Sequence, residues 1–343
     1  MAAMWHGILG HDEIVERFRR TLEAGRLANT YLFVGPAGIG KRRFALELAR
    51  ALLCTKSPEA SLEACGKCES CRLFAAENHP DLDVVRLPKD KTKLSIELFL
   101  GDREHRHQEG LCHRIGLKPF LAGRKIAIID DADLFSQESA NCLLKTLEEP
   151  PPRSLLILIG TSPSRQLPTI RSRSQIVRFA PLDTDAVVRI LTGTELVPDR
   201  DQAARAAELS EGSVERAVEL ADPALWSFRE QLFAQLRSPN AVRLARSVQA
   251  FVDEAGKETA QKRERLRIVI GFAVDFYRDQ LYASHVGGLG GGESRSGPNE
   301  TVVEALDACL SALEHIDRNA NLATVIQHWS DASSEPLAQR AAG

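Results

Sequence analysis

The spacing of apolar positions divides the chain into two regions of different character. In roughly the first 180 residues, short apolar runs alternate with amphipathic stretches. Tyr31–Val34, Leu82–Leu87, Ile126–Ile129, Leu155–Ile159 and Gln175–Phe179 read as strands. Ile126–Ile129 and Leu155–Ile159 are apolar without alternation, the pattern of a strand buried on both faces. Helical spacing appears between the strands: Ile14, Phe18, Leu22 and Leu27 within residues 8–27, then Phe44, Leu46, Leu48 and Leu52, then Ser136–Glu149, which Pro150-Pro151-Pro152 stops. Residues 97–113, rich in Arg and His, read as a solvated helix face.

Pro181-Leu182 marks a boundary. Short helices follow, broken at Gly193-Thr194, Pro198-Asp199 and Gly212-Ser213. From Ala224 the pattern is helical without strands: Leu266, Ile270, Val274, Tyr277 and Leu281 share one helix face, residues 301–316 form another amphipathic helix, and Leu322–Trp329 the last. Residues 285–299 (HVGGLGGGESRSGPN) read as a flexible loop, and residues 333–343 as a frayed end.

Composition adds bounds. A chain of 343 residues fits two or three domains, and a 43% hydrophobic fraction is ordinary for a globular protein. The formal net charge of −3 argues against a surface that is a nucleic-acid footprint throughout, while leaving room for a local basic patch. No apolar run approaches a membrane span, and the N-terminus lacks the basic and apolar blocks of a signal peptide. The chain is therefore read as cytoplasmic, where clustered cysteines point to metal rather than disulfides.

The first candidate chemistry lies where the Tyr31–Val34 strand meets the following helix. Gly35, Gly40 and Lys41 match G-x-x-x-x-G-K, with Gly38 inside the loop. In such a loop the backbone N–H groups converge on phosphate oxygens and the lysine reaches the terminal phosphates. The next position normally carries the Ser or Thr that holds Mg²⁺. Here it is Arg42, and a guanidinium cannot ligate a cation. Downstream, the Ile126–Ile129 strand ends in Asp130-Asp131, the arrangement in which one acid holds Mg²⁺ and the next orients the attacking water. An acidic helix cap is the plainer reading of Asp131 or Asp133. Thr161 at another strand tip is a candidate to sense a γ-phosphate.

Cys54, Cys65, Cys68 and Cys71 carry overlapping C-x-x-C steps. Four thiolates at this spacing suit a closed tetrahedral Zn²⁺ site, the alternatives being free thiols in a loop or a redox pair. Cys112, Cys142 and Cys309 are isolated among apolar residues and read as small core residues. Segment Thr169–Ser174 brings Arg171 and Arg173 together, ordinary surface charges unless a partner's phosphate comes within reach.

These motifs occur in a telling order: phosphate loop, four-cysteine insert, acid-tipped strand, N-x-L-L-K-x-L-E-E-P-P at Asn141–Pro151, and Ser172-Arg173. In that order they resemble the bacterial clamp-loader branch of AAA+ proteins, the DNA polymerase III gamma/tau and delta-prime subunits. The resemblance carries motifs over residues 5–181, continues over 182–220, and beyond that rests on helical character. It implies an α/β RecA-like AAA+ domain with a parallel sheet over residues 1–181, interrupted by a zinc module at about 54–80. A small helical lid follows over 182–222, then an all-α collar that holds the loader together over 223–335.

Within the branch, Arg42 and Asp131 depart from the motor subunits. So does Glu215, which stands where their Gly-Ser-x-Arg supplies an arginine to the nucleotide; Arg216 is one step, about 100°, around the helix. These departures point to a delta-prime-type subunit that assists loading of the sliding clamp on primed DNA without hydrolysing ATP itself. Gly35, Gly38, Gly40, Lys41 and Asp130 would then be a vestigial or weak nucleotide site. Arg173, matching the family's arginine finger in Ser172-Arg173-Ser174, would serve the ATP of a neighbouring subunit. The implied partners are gamma/tau, delta, the sliding clamp and primer–template DNA, and the implied cofactors are structural Zn²⁺ and ATP. The rival readings are a hydrolysing gamma/tau-type motor and a zinc-bearing AAA+ adaptor outside replication.

Overall fold

The computed structural model describes residues 5–88, 91–106, 108–238, 240–286 and 298–341. The chain forms two compact units, Met1–Ala221 and Asp222–Gly343.

The first unit runs α1 (Asp12–Glu23), β1 (Thr30–Val34), α2 (Lys41–Leu52), α3 (Glu69–Ala75), β2 (Leu82–Val85), α4 (Glu97–Leu100), α5 (Leu111–Gly116), β3 (Lys125–Ile129), α6 (Gln137–Glu148), β4 (Ser154–Gly160), α7 (Pro168–Ser172), β5 (Gln175–Arg178), α8 (Thr184–Gly193), α9 (Arg200–Leu209) and α10 (Val214–Leu220). The strands form one sheet in the order β2-β3-β4-β1-β5, and every neighbouring pair is parallel. This is the α/β architecture expected from the resemblance.

Apolar residues fill the strands because both faces of the sheet are covered. Successive side chains point to opposite faces. Tyr31, Phe33, Ile126, Ile128, Leu155, Ile157 and Ile159 pack with α1 and α2 through Phe18, Phe44, Leu48 and Leu52. Leu32, Val34, Ala127, Ile129, Leu156 and Leu158 pack on the other face with α4 to α7 through Phe99, Leu111, Leu143 and Ile170. Rings of Phe18, Phe33, Phe44 and Phe179 lie 5.1–6.0 Å apart and bind α1 and α2 to the sheet.

Some expected elements are shorter than their periodicity implied. The first helix is Asp12–Glu23 rather than residues 8–27, because Gly10 and Gly25 sit in left-handed backbone on either side of it. Residues 97–113 do not form one helix: the chain breaks after Leu100 and resumes helix at Leu111, with Gly101 and Gly110 in left-handed backbone. His107 lies outside the described residues.

The second unit contains α11 (Pro223–Arg237), α12 (Ala241–Asp253), α13 (Thr259–Val286), α14 (Pro298–Asp317) and α15 (Leu322–Ala341). Its core is set at helical spacing by Leu225, Phe228 and Leu232, by Leu266, Ile270, Ala273 and Tyr277, and by Ala305, Cys309, Ala312 and Ile316. Phe228 and Phe251 stack at 4.0 Å. Trp329 donates its indole N–H to Cys309 Sγ at 3.2 Å. The last helix does not fray at residue 333 but continues to Ala341, and Ser333 and Ser334 are buried on it, so packing extends past Trp329. Of the expected glycine-rich loop, residues 287–297 lie outside the described residues; α13 reaches Val286 and α14 begins at Pro298.

One buried carboxylate ties the start of β2 to the segment entering β3. Asp81 is fully buried and accepts the backbone N–H groups of Phe120, Leu121 and Ala122 at 2.6, 2.8 and 2.8 Å, with Lys125 Nζ 3.7 Å away. Burial alone would push its carboxyl up; the three N–H groups and Lys125 outweigh burial and hold it below its ordinary value. A carboxyl with a depressed folded pKa stabilises the fold above its unfolded pKa, near 4, and loses that contribution as pH falls through the folded pKa. Asp81→Asn is therefore expected to cost about 2–3 kcal/mol at neutral pH. In urea titrations repeated across pH, the gap between wild type and variant should close as the solution is acidified below about pH 4.

Candidate functional site

Parallel neighbours bring the carboxyl ends of β1, β3 and β4 to one edge, and the polar candidates of the first unit gather there. The glycine loop leaves β1 at Gly35 and enters α2 at Lys41, with Gly40 in left-handed backbone as the helix N-cap. Lys41 is 7% exposed, and its ammonium donates to the carbonyl oxygens of Gly35, at 2.7 Å, and Pro36. Burial pushes its pKa down, while Asp130, Asp133 and Glu215 pull it up.

The start of α10 closes on this loop within the same unit. Val214 N–H donates to Gly38 O at 2.9 Å. A side chain on Gly38 would meet Ser213 Oγ at 2.2 Å and Glu215 Cβ at 2.7 Å, so only glycine fits. Ser213 also caps α10 by accepting the Arg216 N–H at 3.2 Å. The Arg216 guanidinium turns to Glu211, 3.4 Å away. From the N-terminal side, His11 is buried and its Nε2 lies 2.8 Å from Ile39 O. A carbonyl only accepts, so Nε2 carries the proton there; burial pushes this imidazole's pKa down, keeping it neutral.

The acids on the neighbouring strand tips differ in their commitments. Asp130, at the end of β3, faces Arg42, with Oδ2 3.5 Å from Nε. Burial and the adjacent Asp131 push the Asp130 carboxyl up, against the Asp131 N–H, Arg86 and Lys41. Asp131 is exposed, in left-handed backbone at φ 55°, and makes no side-chain cap. Asp133 is not a helix cap either. It accepts the Thr161 N–H at 2.7 Å, the Thr161 hydroxyl at 2.5 Å and the Gln166 amide at 2.6 Å, so Thr161 at the tip of β4 is already engaged.

Arg173 lies just past α7. Its guanidinium is 2.8 Å from Glu148 at the end of α6 and donates to Thr169 O at 3.2 Å. The side chain is about one-third exposed.

The cysteine insert follows α2. The sulfurs of Cys54, Cys65, Cys68 and Cys71 all lie within 4.8 Å of one another, so the cluster could hold a metal ion. The Cys54–Cys68 and Cys65–Cys71 separations are 3.9 and 4.0 Å. A tetrahedral ion with sulfur ligands at about 2.3 Å spaces them by about 3.8 Å, so the donor set fits. Backbone N–H groups of Ser57 and Cys65 point at Cys54, that of Cys68 at Cys65 and that of Cys71 at Cys68, at 3.3–3.4 Å. Burial would push the Cys54 thiol up; the N–H groups of Cys65, Lys56 and Ser57 reverse this and bring it down to about 5. A buried relay supports the insert: His79 Nδ1 accepts the Asp81 N–H at 3.0 Å, so His79 Nε2–H donates to Ser70 Oγ at 2.8 Å, and Ser70 donates to Leu53 O at 2.5 Å. Cys112 and Cys142 are not isolated from each other, because α5 and α6 set their thiols side by side.

Sequence reasoning missed His11, Ser70, His79 and Glu148. Nothing local marks His79 as a relay, and the other contacts join residues distant in sequence.

The family described as DNA polymerase III, delta subunit, matches residues 10–183. The chain belongs to that family. Among its relatives, the delta' subunit of DNA polymerase III from Pseudomonas aeruginosa is 39% identical over 146 residues, 43% of this chain and 41% of that protein. The delta' subunit from Escherichia coli K12 is 32% identical over 228 residues, 66% of this chain and 64% of that protein. The gamma/tau subunit from Mycobacterium tuberculosis H37Rv is 34% identical over 172 residues, 50% of this chain and 28% of that protein. The matches thus span less than two-thirds of each of these relatives. The family match covers the sheet, the cysteine insert and the segment carrying Arg173, in agreement with the resemblance read from the motifs. Among the described residues no helix is long and apolar enough to cross a membrane.

The geometry of the insert leads to a direct expectation. The purified family member should carry about one metal ion per chain by inductively coupled plasma mass spectrometry, and Cys68→Ala should lose it and lower the unfolding temperature. Full metal content in Cys68→Ala would rule out the four-sulfur site.

Proposed function

We propose that the chain is a delta-prime-type, non-hydrolysing subunit of the replicative clamp loader, which assists ATP-dependent placement of the sliding clamp on primed DNA. One observation carries the non-hydrolysing part: the lysine that would reach the phosphates is engaged within its own loop. Lys41 bonds the carbonyls of Gly35 and Pro36, and Gly38 O holds the Val214 N–H. Glu215 adds a negative charge beside Lys41, where motor subunits carry an arginine. Gly35, Gly38, Gly40, Lys41 and Asp130 are then a vestigial site.

In this reading Arg173 serves a neighbouring gamma/tau subunit. Its contact with Glu148 is exposed enough to be weak, so a partner's phosphate can take the guanidinium over. Planar, permanently charged guanidinium suits that task. Residues 1–181 form the RecA-like domain, 182–222 the lid and 223–335 the collar, with gamma/tau, delta, the sliding clamp and primer–template DNA as partners. Cys54, Cys65, Cys68 and Cys71 hold Zn²⁺, which cross-links the insert and leaves no open position for chemistry.

The test is reconstitution with gamma/tau and delta. The chain alone should show no ATP turnover. Arg173→Ala should still assemble and lower turnover by the complex at least about threefold, since a finger stabilises transition-state charge by about 10³–10⁵ at the one site it serves. Unchanged turnover in the assembled variant would remove Arg173 from this role, and turnover by the chain alone would make it a motor.

A further inference from the structure

Metal-dependent nucleotide binding by AAA+ proteins needs well-placed oxygen ligands from the protein, and in this chain the usual hydroxyl is missing and most of the acids are already engaged. Mg²⁺ demands near-octahedral oxygen coordination and gives up its water reluctantly, so it is held by few but well-placed protein oxygens. The hydroxyl expected after Lys41 is replaced by the Arg42 guanidinium. Asp133 is committed to Thr161 and Gln166. Asp131 is exposed on left-handed backbone. That leaves Asp130, and its Oδ2 already faces Arg42 Nε at 3.5 Å.

The character of that contact is informative. Arg42 Nε is buried and has no hydrogen-bond partner, so it meets Asp130 as a charge rather than as a donor. Arg42 also follows Lys41 on α2, so the two cations stand at the helix start with Asp130 and Glu215 as the nearby acids. Asp133 also acts on Lys41, and Asp131 and Arg86 on Asp130, so fixed side-chain charges of both signs already surround the position a cation would take. A divalent cation at Asp130 would have to displace the guanidinium and then remain beside it.

We propose that Arg42 is the resident cation of this site, standing against Asp130 in place of a divalent ion, so that the loop excludes Mg²⁺ and discriminates against Mg²⁺-bound nucleotide. This rests on the reading of the loop as non-hydrolysing and gives it a specific cause in one side chain. A phosphate ligand that did enter would be held free of metal.

The test uses the full chain and a fluorescent N-methylanthraniloyl-ATP probe, titrated with saturating Mg²⁺ and again with a chelator. Wild type should show either no binding in both conditions or affinities within about twofold of each other. Arg42→Ser, folded by circular dichroism, should bind the probe at least about tenfold more tightly with Mg²⁺ than without. Adding Asp130→Asn should remove that gain, and Arg42→Lys should behave as wild type. Affinity of wild type that rises about tenfold or more with Mg²⁺ overturns the proposal, and this arm needs no variant. So does a folded Arg42→Ser chain with no Mg²⁺ dependence, since something other than Arg42 would then exclude the metal. Mg²⁺-dependent binding by wild type without turnover overturns only this inference. Turnover by wild type overturns the non-hydrolysing reading as well.

Discussion

A parallel sheet buried on both faces leaves its polar chemistry only one place to go. Every side chain along β1, β3 and β4 is buried, alternating between two apolar layers. Charged and hydroxyl groups are tolerated where the strands end and the backbone turns away. The order β2-β3-β4-β1-β5 brings the ends of β1, β3 and β4 together, so Lys41, Asp130 and Thr161 converge whatever they are used for. Ligands of open α/β sheets bind at this carboxyl edge for the same reason. The fold fixes the place, and side chains on the loops and α10 fix what the place can do.

In this chain those side chains make an electrostatically closed set. A buried ammonium requires nearby oxygen, and Lys41 finds it in its own loop. Asp130 is partly buried and meets the Arg42 guanidinium. Asp133 spends its oxygens on Thr161 and Gln166, tying the tip of β4 to the turn after β3. Each group thus faces a partner of the same chain, but Arg42 Nε stays without a hydrogen bond and burial still pushes the Asp130 carboxyl up. The opposite holds at the surface. Arg173 and Glu148 face each other across a partly exposed contact, and water competes with it. The strand-end groups thus meet one another inside the unit, while the Arg173 guanidinium is held by a partly exposed contact.

Most of the sheet and the ordering of its helices were legible because they follow local rules. Apolar runs such as Ile126–Ile129 and amphipathic spacing such as Phe44 to Leu52 need only their own side chains to be read. The cysteine cluster was legible from spacing, since three of its four members lie within seven residues. Features that depend on distant backbone were hidden. Asp81 reads as an ordinary turn residue until the Phe120–Ala122 N–H groups arrive beside it. Cys112 and Cys142 look isolated until α5 and α6 pack on one core. The helix expected over residues 97–113 failed because the Arg and His pattern was weighed above Gly101 and Gly110, which the backbone uses in left-handed form. Asp133 resembled a cap because it precedes a helix, but its partners come from β4 and beyond.

The glycine loop itself raises the sharpest question, because its glycines are needed by the packing whether or not a nucleotide binds. The packing answers it. Gly38 meets Ser213 and Glu215 so closely that a methyl group could not be added, and its carbonyl anchors the start of α10. Gly40 adopts left-handed backbone as the cap of α2. The conformation that lets such a loop wrap a phosphate also lets the start of α10 settle onto it. A phosphate-loop sequence can thus persist as a structural joint, and its glycines alone do not distinguish a working nucleotide site from a closed one. The side chains beside them carry that distinction: here Lys41 is turned onto its own carbonyls, Arg42 stands against Asp130, and Glu215 is near Lys41.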